Sequence, residues 1–247
     1  MGNLMKAELC RFRKEKSMWL ILLVLLCCSG IAVFLGNYKS AETAFRNITR
    51  DYMPLVIAWA VYAGFAAAGE FSGGGFAYKI AAGYSRAEIL AALFVHYLLG
   101  CLALLLLYPG LTTLLCAAVQ GVEGSFAYLL FQMGAAFVRS ILPTIGVAAC
   151  LFFLCVLIRK KAAAMGVCIG VTLLTGMLNN NLELSRTPYA VLAGAWAEIP
   201  ALQLLPGLLP SLLLPAVFLT LSALSVGRMD LKKTPAALPF LSSAAGF

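Results

Sequence analysis

The sequence predicts an all-α, polytopic membrane protein with six transmembrane helices, cytoplasmic N- and C-termini and an N-terminal interfacial helix. Three observations carry that expectation. Hydrophobic residues make up 62% of the 247-residue chain and charged residues only 11%, whereas about a quarter of a soluble domain is charged. Ser17 to Tyr38 holds no Lys, Arg, Asp or Glu over 22 residues, and roughly 20 apolar residues cross a bilayer. Leu20 to Leu26 is unbroken Leu, Ile and Val, whereas the strands of a membrane barrel alternate lipid-facing and lumen-facing residues.

The elements follow in order. Over 3–16, Leu4, Met5, Leu9 and Phe12 recur at helical spacing, and Lys6, Glu8, Arg11, Arg13 and Lys14 fill most of the other positions. This pattern fits a helix lying in the membrane interface, or equally a basic flank that only sets topology. The first span, about 18–36, is too long for the core of a secretory signal, which runs about 7 to 15 residues, and it reads as a retained helix. An outer loop from Asn37 to Asp51 leads to the second span, 53–69. There Ala60, Gly64 and Ala68 repeat a small residue every fourth position and permit close helix contact. A cytoplasmic loop, 70–88, precedes the third span, 89–115.

The apolar stretch from Phe126 to Ile158 exceeds one bilayer thickness and is interrupted by Arg139, which is costly at the bilayer centre. Phe126 to Val138 is therefore expected as a shallow or re-entrant helix at the outer surface, with the fourth span at 140–158. The competing picture is one long tilted helix with Arg139 facing a polar cavity. The fifth span, 162–180, carries a second small-residue strip at Gly166 and Gly170. The outer segment from Asn179 to Pro200 places Tyr189 and Trp196 at headgroup depth. The sixth span, 204–227, contains Pro206, Pro210 and Pro215 and is expected to kink. Residues 1–233 thus form one transmembrane domain, followed by a loose uncharged tail, 234–247.

Orientation follows from the basic residues, because short Lys- and Arg-rich loops stay in the cytoplasm. With the N-terminus inside, thirteen of the 18 Lys and Arg fall on the inner side and the ten acids divide equally. The net charge of +8 therefore reads as topology and attraction to anionic lipid headgroups. The basic residues are scattered over four segments, which argues against nucleic acid binding. Seven of the eight cysteines fall in expected helices and Cys10 in the inner segment; all read as small packing residues.

From Glu70 the chain reads E-F-S-G-G-G-F-A-Y-K-I-A-A-G-Y-S-R-A-E-I-L. Gly73 to Gly75 disfavour helix continuation, and Ser85 with Glu88 forms an S-x-x-E capping box at the mouth of the third span. The expected arrangement is helix, turn, short cytoplasmic element, a second turn at Gly83, and a new helix. This pattern resembles the first cytoplasmic loop of the permease subunits of type 2 ABC exporters: an acidic residue, then Gly, a basic stretch, and G-x-S-R with an aliphatic residue. The matching positions are Glu70, Phe71, Gly74, Gly83, Ser85, Arg86 and Ile89, and R-M-D-L-K at Arg228 to Lys232 is similar to the ending of the last helix in that family. The triple glycine is richer than the family pattern. Ala77 stands where a basic residue is common, with Lys79 as a possible substitute.

The resemblance implies a permease subunit in a cell membrane, bacterial in type, that pairs with a second permease and exports a hydrophobic or amphipathic substrate. It implies a coupling role for Glu70, Phe71, Gly74, Lys79, Gly83, Ser85 and Arg86 against a separate cytoplasmic ATPase subunit, with ATP and magnesium bound by that partner. Consistently, the chain has no G-x-x-x-x-G-K-[S/T] phosphate loop and no Gly-Lys pair, so it is expected to bind no cofactor and to be no enzyme itself. The bland reading of 70–88 is a solvated turn whose charges obey membrane topology. Rival functions are an immunity or sensor component that binds peptide antibiotics without transport, an intramembrane enzyme and an ion-driven transporter. A single histidine, His96, cannot build a multi-histidine metal site and is expected to make a hydrogen bond across the bundle. No firmly assigned span carries the midplane acid that an ion-driven carrier would use.

Overall fold

In the computed structural model, residues 2–182 and 201–227 are described, and every regular element among them is helical. Helix α1 is Gly2–Lys14, α2 Lys16–Phe34, α3 Ala41–Arg50 and α4 Met53–Ala63. A π-helical turn, Gly64–Ala68, joins α4 to α5, Gly69–Ser72. Then come α6 Gly75–Ala81, α7 Arg86–Gln120, α8 Phe126–Ile158, α9 Lys161–Leu182 and α10 Ala201–Gly227. Four helical stretches among the described residues are long and apolar enough to cross a membrane: Lys16–Phe34, Met53–Ser72, Arg86–Gln120 and Phe126–Ile158. Shorter apolar stretches occupy Lys161–Met177 and Leu213–Val226. The outer segment with Tyr189 and Trp196, the ending at Arg228 to Lys232 and the tail 234–247 lie outside the described residues.

The core sits where α4, α7 and α8 meet. Trp59, Tyr62, Tyr97 and Phe152 are its largest fully buried side chains. The Tyr62 and Tyr97 rings stack at 5.7 Å, and Phe94 meets Phe152 edge-on at 5.3 Å. Polar tips here are satisfied across helices, as burial requires. Trp59 Nε1 donates to the Cys101 carbonyl at 3.1 Å, and the Tyr97 hydroxyl donates to the Trp59 carbonyl at 3.2 Å. These two bonds pin α4 to α7. Between α2 and α7, the Ser29 and Thr112 hydroxyls meet at 3.0 Å.

Several boundaries differ from the sequence expectation. The stretch expected as an outer loop contains α3, started by a reciprocal capping box between Ser40 and Thr43. Glu42 of α3 accepts the backbone N–H groups of Glu123 and Gly124, both at 3.1 Å, and so clamps α3 to the α7–α8 turn. The expected break before Ser140 is absent, because α8 runs as one helix from Phe126 to Ile158 through Arg139 and Pro143. The physical reason is length. Arg139 stands nineteen residues from Ile158, about 28 Å at 1.5 Å per residue, which is close to one hydrocarbon thickness. The helix can therefore carry Arg139 at the far interface without unwinding. Of the two small-residue strips, Gly64 lies hard against Met165 of α9, whereas Gly166 and Gly170 face open space. Helix α10 continues through all three of its prolines.

Candidate functional site

The segment between α5 and α7 folds as two turns around a short helix. Gly73 closes the last turn of α5, its N–H donating to the Gly69 carbonyl at 2.9 Å. Gly74 then takes a left-handed conformation, φ 76°, which glycine adopts without steric cost. Gly75 is required for a different reason: a Cβ there would lie 2.6 Å from Oε2 of Glu70. The second turn uses Gly83 at φ 89°. Helix α7 starts on the predicted capping box, with Ser85 Oγ accepting from the Glu88 N–H and the Glu88 carboxylate accepting from the Ser85 N–H at 3.0 Å. Phe71 and Phe76 pack ring to ring across the first turn at 4.8 Å.

Beneath this element lies a buried charge cluster drawn from five parts of the chain. Lys79 of α6 donates to Glu70 at 2.8 Å and to Glu8 of α1 at 2.5 Å. Arg11 of α1 pairs with Glu70 and stands 3.9 Å from Glu8. His96 of α7 contacts the Glu15 carboxylate through Nε2 at 2.7 Å and the Glu8 carbonyl oxygen through Nδ1 at 3.2 Å. The Tyr62 hydroxyl of α4 donates to Glu15 at 3.1 Å, and Ser17 Oγ donates to its other oxygen at 2.7 Å. Burial works to raise the Glu15 carboxyl, but the hydrogen bonds from His96, Ser17 and Tyr62 outweigh it and hold the group below the ordinary carboxylate range. Glu8, Glu70 and His96 expose 4%, 7% and 2% of their surfaces. Carboxylates so placed persist as charges only when paired.

The structure divides the sequence-predicted residues by direction. Glu70 and Lys79 point inward and tie the loop to its own helices. Gly74, Gly83 and Ser85 shape the turns, and Phe71 packs beneath them. Arg86 donates to the Val226 carbonyl at 2.8 Å, fastening the start of α7 to the end of α10. The outward face belongs to Tyr78, 70% exposed, with Ala77, Ala81, Ala82 and Gly83 exposed around it. Sequence reasoning gave no role to Tyr78, and placed Glu8 on the polar side of α1. That expectation is corrected here: Glu8 is buried against α7, because Lys79 supplies a charge partner and frees the acid from water. The spacing of Leu4, Glu8 and Arg11 along one face of α1 was the available signal.

Among the described residues no group of three or more His, Cys, Asp or Glu side chains could hold a metal ion. The contacts within the cluster are ion pairs and hydrogen bonds that join α1, α5, α6 and α7. No known family model, curated protein or solved structure matches this chain.

Proposed function

We propose that this chain is the permease subunit of an ATP-driven ABC transporter in a cell membrane of bacterial type, with six spans and both termini cytoplasmic. It pairs with a second permease, itself or a similar one, and with two copies of a cytoplasmic ATPase that binds ATP and magnesium. Its cargo is a hydrophobic or amphipathic molecule moved outward: a lipid, a peptide or a drug. The observation that supports this reading best is the build of α6. The helix is held from beneath by Glu8 and Glu70 through Lys79, and it turns Tyr78 and a surface of small residues outward.

Such a face suits a partner, since an exposed aromatic ringed by small side chains can enter a pocket and exclude water. Force applied to α6 would pass through Lys79 into α1 and α5, and through Gly83 and Arg86 into α7 and α10. The π turn at Gly64–Ala68 lies at the base of the helix that receives the push, and such turns are frequent at functional sites.

A photo-crosslinking amino acid placed at Tyr78 in cells tests the docking face. The expected product joins this chain to a polypeptide that carries a phosphate loop, and a control crosslinker at Phe131, on the exposed outer part of α8, gives none. Crosslinking from Tyr78 to lipid alone would contradict the proposal.

A further inference from the structure

Helices α2 and α7 leave a groove of about 760 Å³ between them. Trp19, Leu26, Gly30 and Phe34 line it from α2 and Leu111 and Leu115 from α7, and among the described residues no charged side chain does. The Ser29 and Thr112 hydroxyls, 3.0 Å apart, pin the two helices together, so the groove is a fixed feature of their packing. Gly30 helps to make it. A Cβ there would stand 3.7 Å from Cδ2 of Leu115, an ordinary contact, so the missing side chain leaves space and serves no close approach. From Trp19 to Phe34 the groove runs fifteen residue steps, about 22 Å at 1.5 Å per residue. That exceeds the roughly 15 Å of one leaflet, half of the hydrocarbon core. Helix α2 is also the least buried of the four long apolar stretches, at 33% against 56% to 67% for the others.

The groove has a charged mouth. Lys16 stands one turn before Trp19 on the same stripe of α2, which continues through Leu23, Leu26, Gly30 and Phe34. Lys16 is exposed, as are Arg13 and Lys14 just before it at the end of α1. The acid within this run, Glu15, is engaged from the inside: its carboxylate accepts from Ser17 and Tyr62 and faces His96. The mouth therefore presents three cations to the surroundings.

We propose that this groove binds an anionic phospholipid, one acyl chain lying between α2 and α7 from Trp19 to Phe34 and the phosphate held by Lys16 with Arg13 and Lys14. Apolar walls at chain depth and cations at one end match the two halves of such a ligand, and Trp19 stands at the join, where an indole suits headgroup level. A second copy of this chain is the rival occupant. Two copies in one membrane, related by a two-fold axis, would bring Lys16 to Lys16 at the same depth along this stripe, like charge against like. A lipid phosphate brings the opposite charge. The bound lipid is a resident of the fold, and the site depends neither on what docks at Tyr78 nor on what the chain carries.

Native mass spectrometry of the full chain tests the site, with the protein stripped of lipid in detergent and then offered phosphatidylglycerol or phosphatidylcholine with the same acyl chains. Phosphatidylglycerol is expected to bind at one lipid per chain and about tenfold or more tightly than phosphatidylcholine. Lys16→Gln, a change at an exposed position, should weaken phosphatidylglycerol about fivefold and leave phosphatidylcholine unaltered. Gly30→Leu puts a side chain into the groove and a better helix former into α2; it should abolish the tight phosphatidylglycerol binding. Equal affinity for the two lipids, or full phosphatidylglycerol binding by the Gly30→Leu or Lys16→Gln protein, overturns the proposal. A dimer of the parent chain that Gly30→Leu splits into monomers gives the groove to a second copy and overturns it as well.

Discussion

Lys79 stands between two buried carboxylates, and its environment decides what its replacement does. Lys79→Met keeps the aliphatic stem and removes the ammonium, leaving Oε1 of Glu8 and Oε2 of Glu70 without the donor they share. Arg11 still reaches Glu70, so the loss is partial, and we expect destabilisation of about 2–4 kcal/mol. In a Glu70→Gln background the same substitution should cost clearly less, because one of the stranded charges is already gone; a double-mutant cycle on unfolding in detergent measures the difference. Equal costs in the two backgrounds would show that Lys79 and Glu70 do not act together. These pairings were half legible in the sequence. Glu70, Lys79 and Arg86 stood out as charges beside a glycine-broken turn, but their direction did not. Whether a charge faces solvent or a buried partner depends on residues such as Glu8 and Arg11, 71 and 59 positions away from their partners, and no local pattern encodes that distance.

Helices α4 and α7 approach each other closely at Gly100, where an added Cβ would lie 2.1 Å from the nearest carbon of the Tyr62 ring. Tyr62 is fully buried and stacked on Tyr97, so it cannot swing aside without disturbing the core. Gly100→Ala is expected to cost about 1–3 kcal/mol through overpacking. Gly134→Ala on α8, where nothing lies within 4 Å, should be neutral or slightly stabilising, since alanine is the better helix former. Thermal unfolding of the two variants side by side checks the contrast, and a Gly100→Ala protein as stable as the parent would refute the close approach. At this scale the sequence spoke clearly wherever the signal was local. The Ser85–Glu88 cap, the end of α5 before the glycines and the turn at Gly83 all lie where the residues placed them. It misled where a single charge had to be weighed. Arg139 suggested a break, yet a 33-residue helix places that side chain about one bilayer thickness from its C-terminal end and needs none. The capped helix α3 was missed because it is ten residues long and lies within a segment read only for its charge.

Among the described residues the charges sort by end. The ends of the long helices that gather Glu70, Lys79, Arg86, Arg159 and Lys161 also hold the basic α1, while Lys39, Arg46 and Glu123 stand at the opposite ends. This sorting is what Lys and Arg bias in connecting loops produces, and it puts the exposed Tyr78 and the histidine cluster on the side assigned to the cytoplasm. We propose that this chain is a gate without a motor of its own. Expressing it with its genomic neighbours, purifying it through a tag, and measuring ATP hydrolysis in reconstituted vesicles tests that claim most directly. A second polypeptide with a phosphate loop should co-purify, and hydrolysis and outward transport should appear only when it is present. Nucleotide-driven pumping by the purified chain alone, or its isolation with no ATPase attached under every expression condition, would contradict the account.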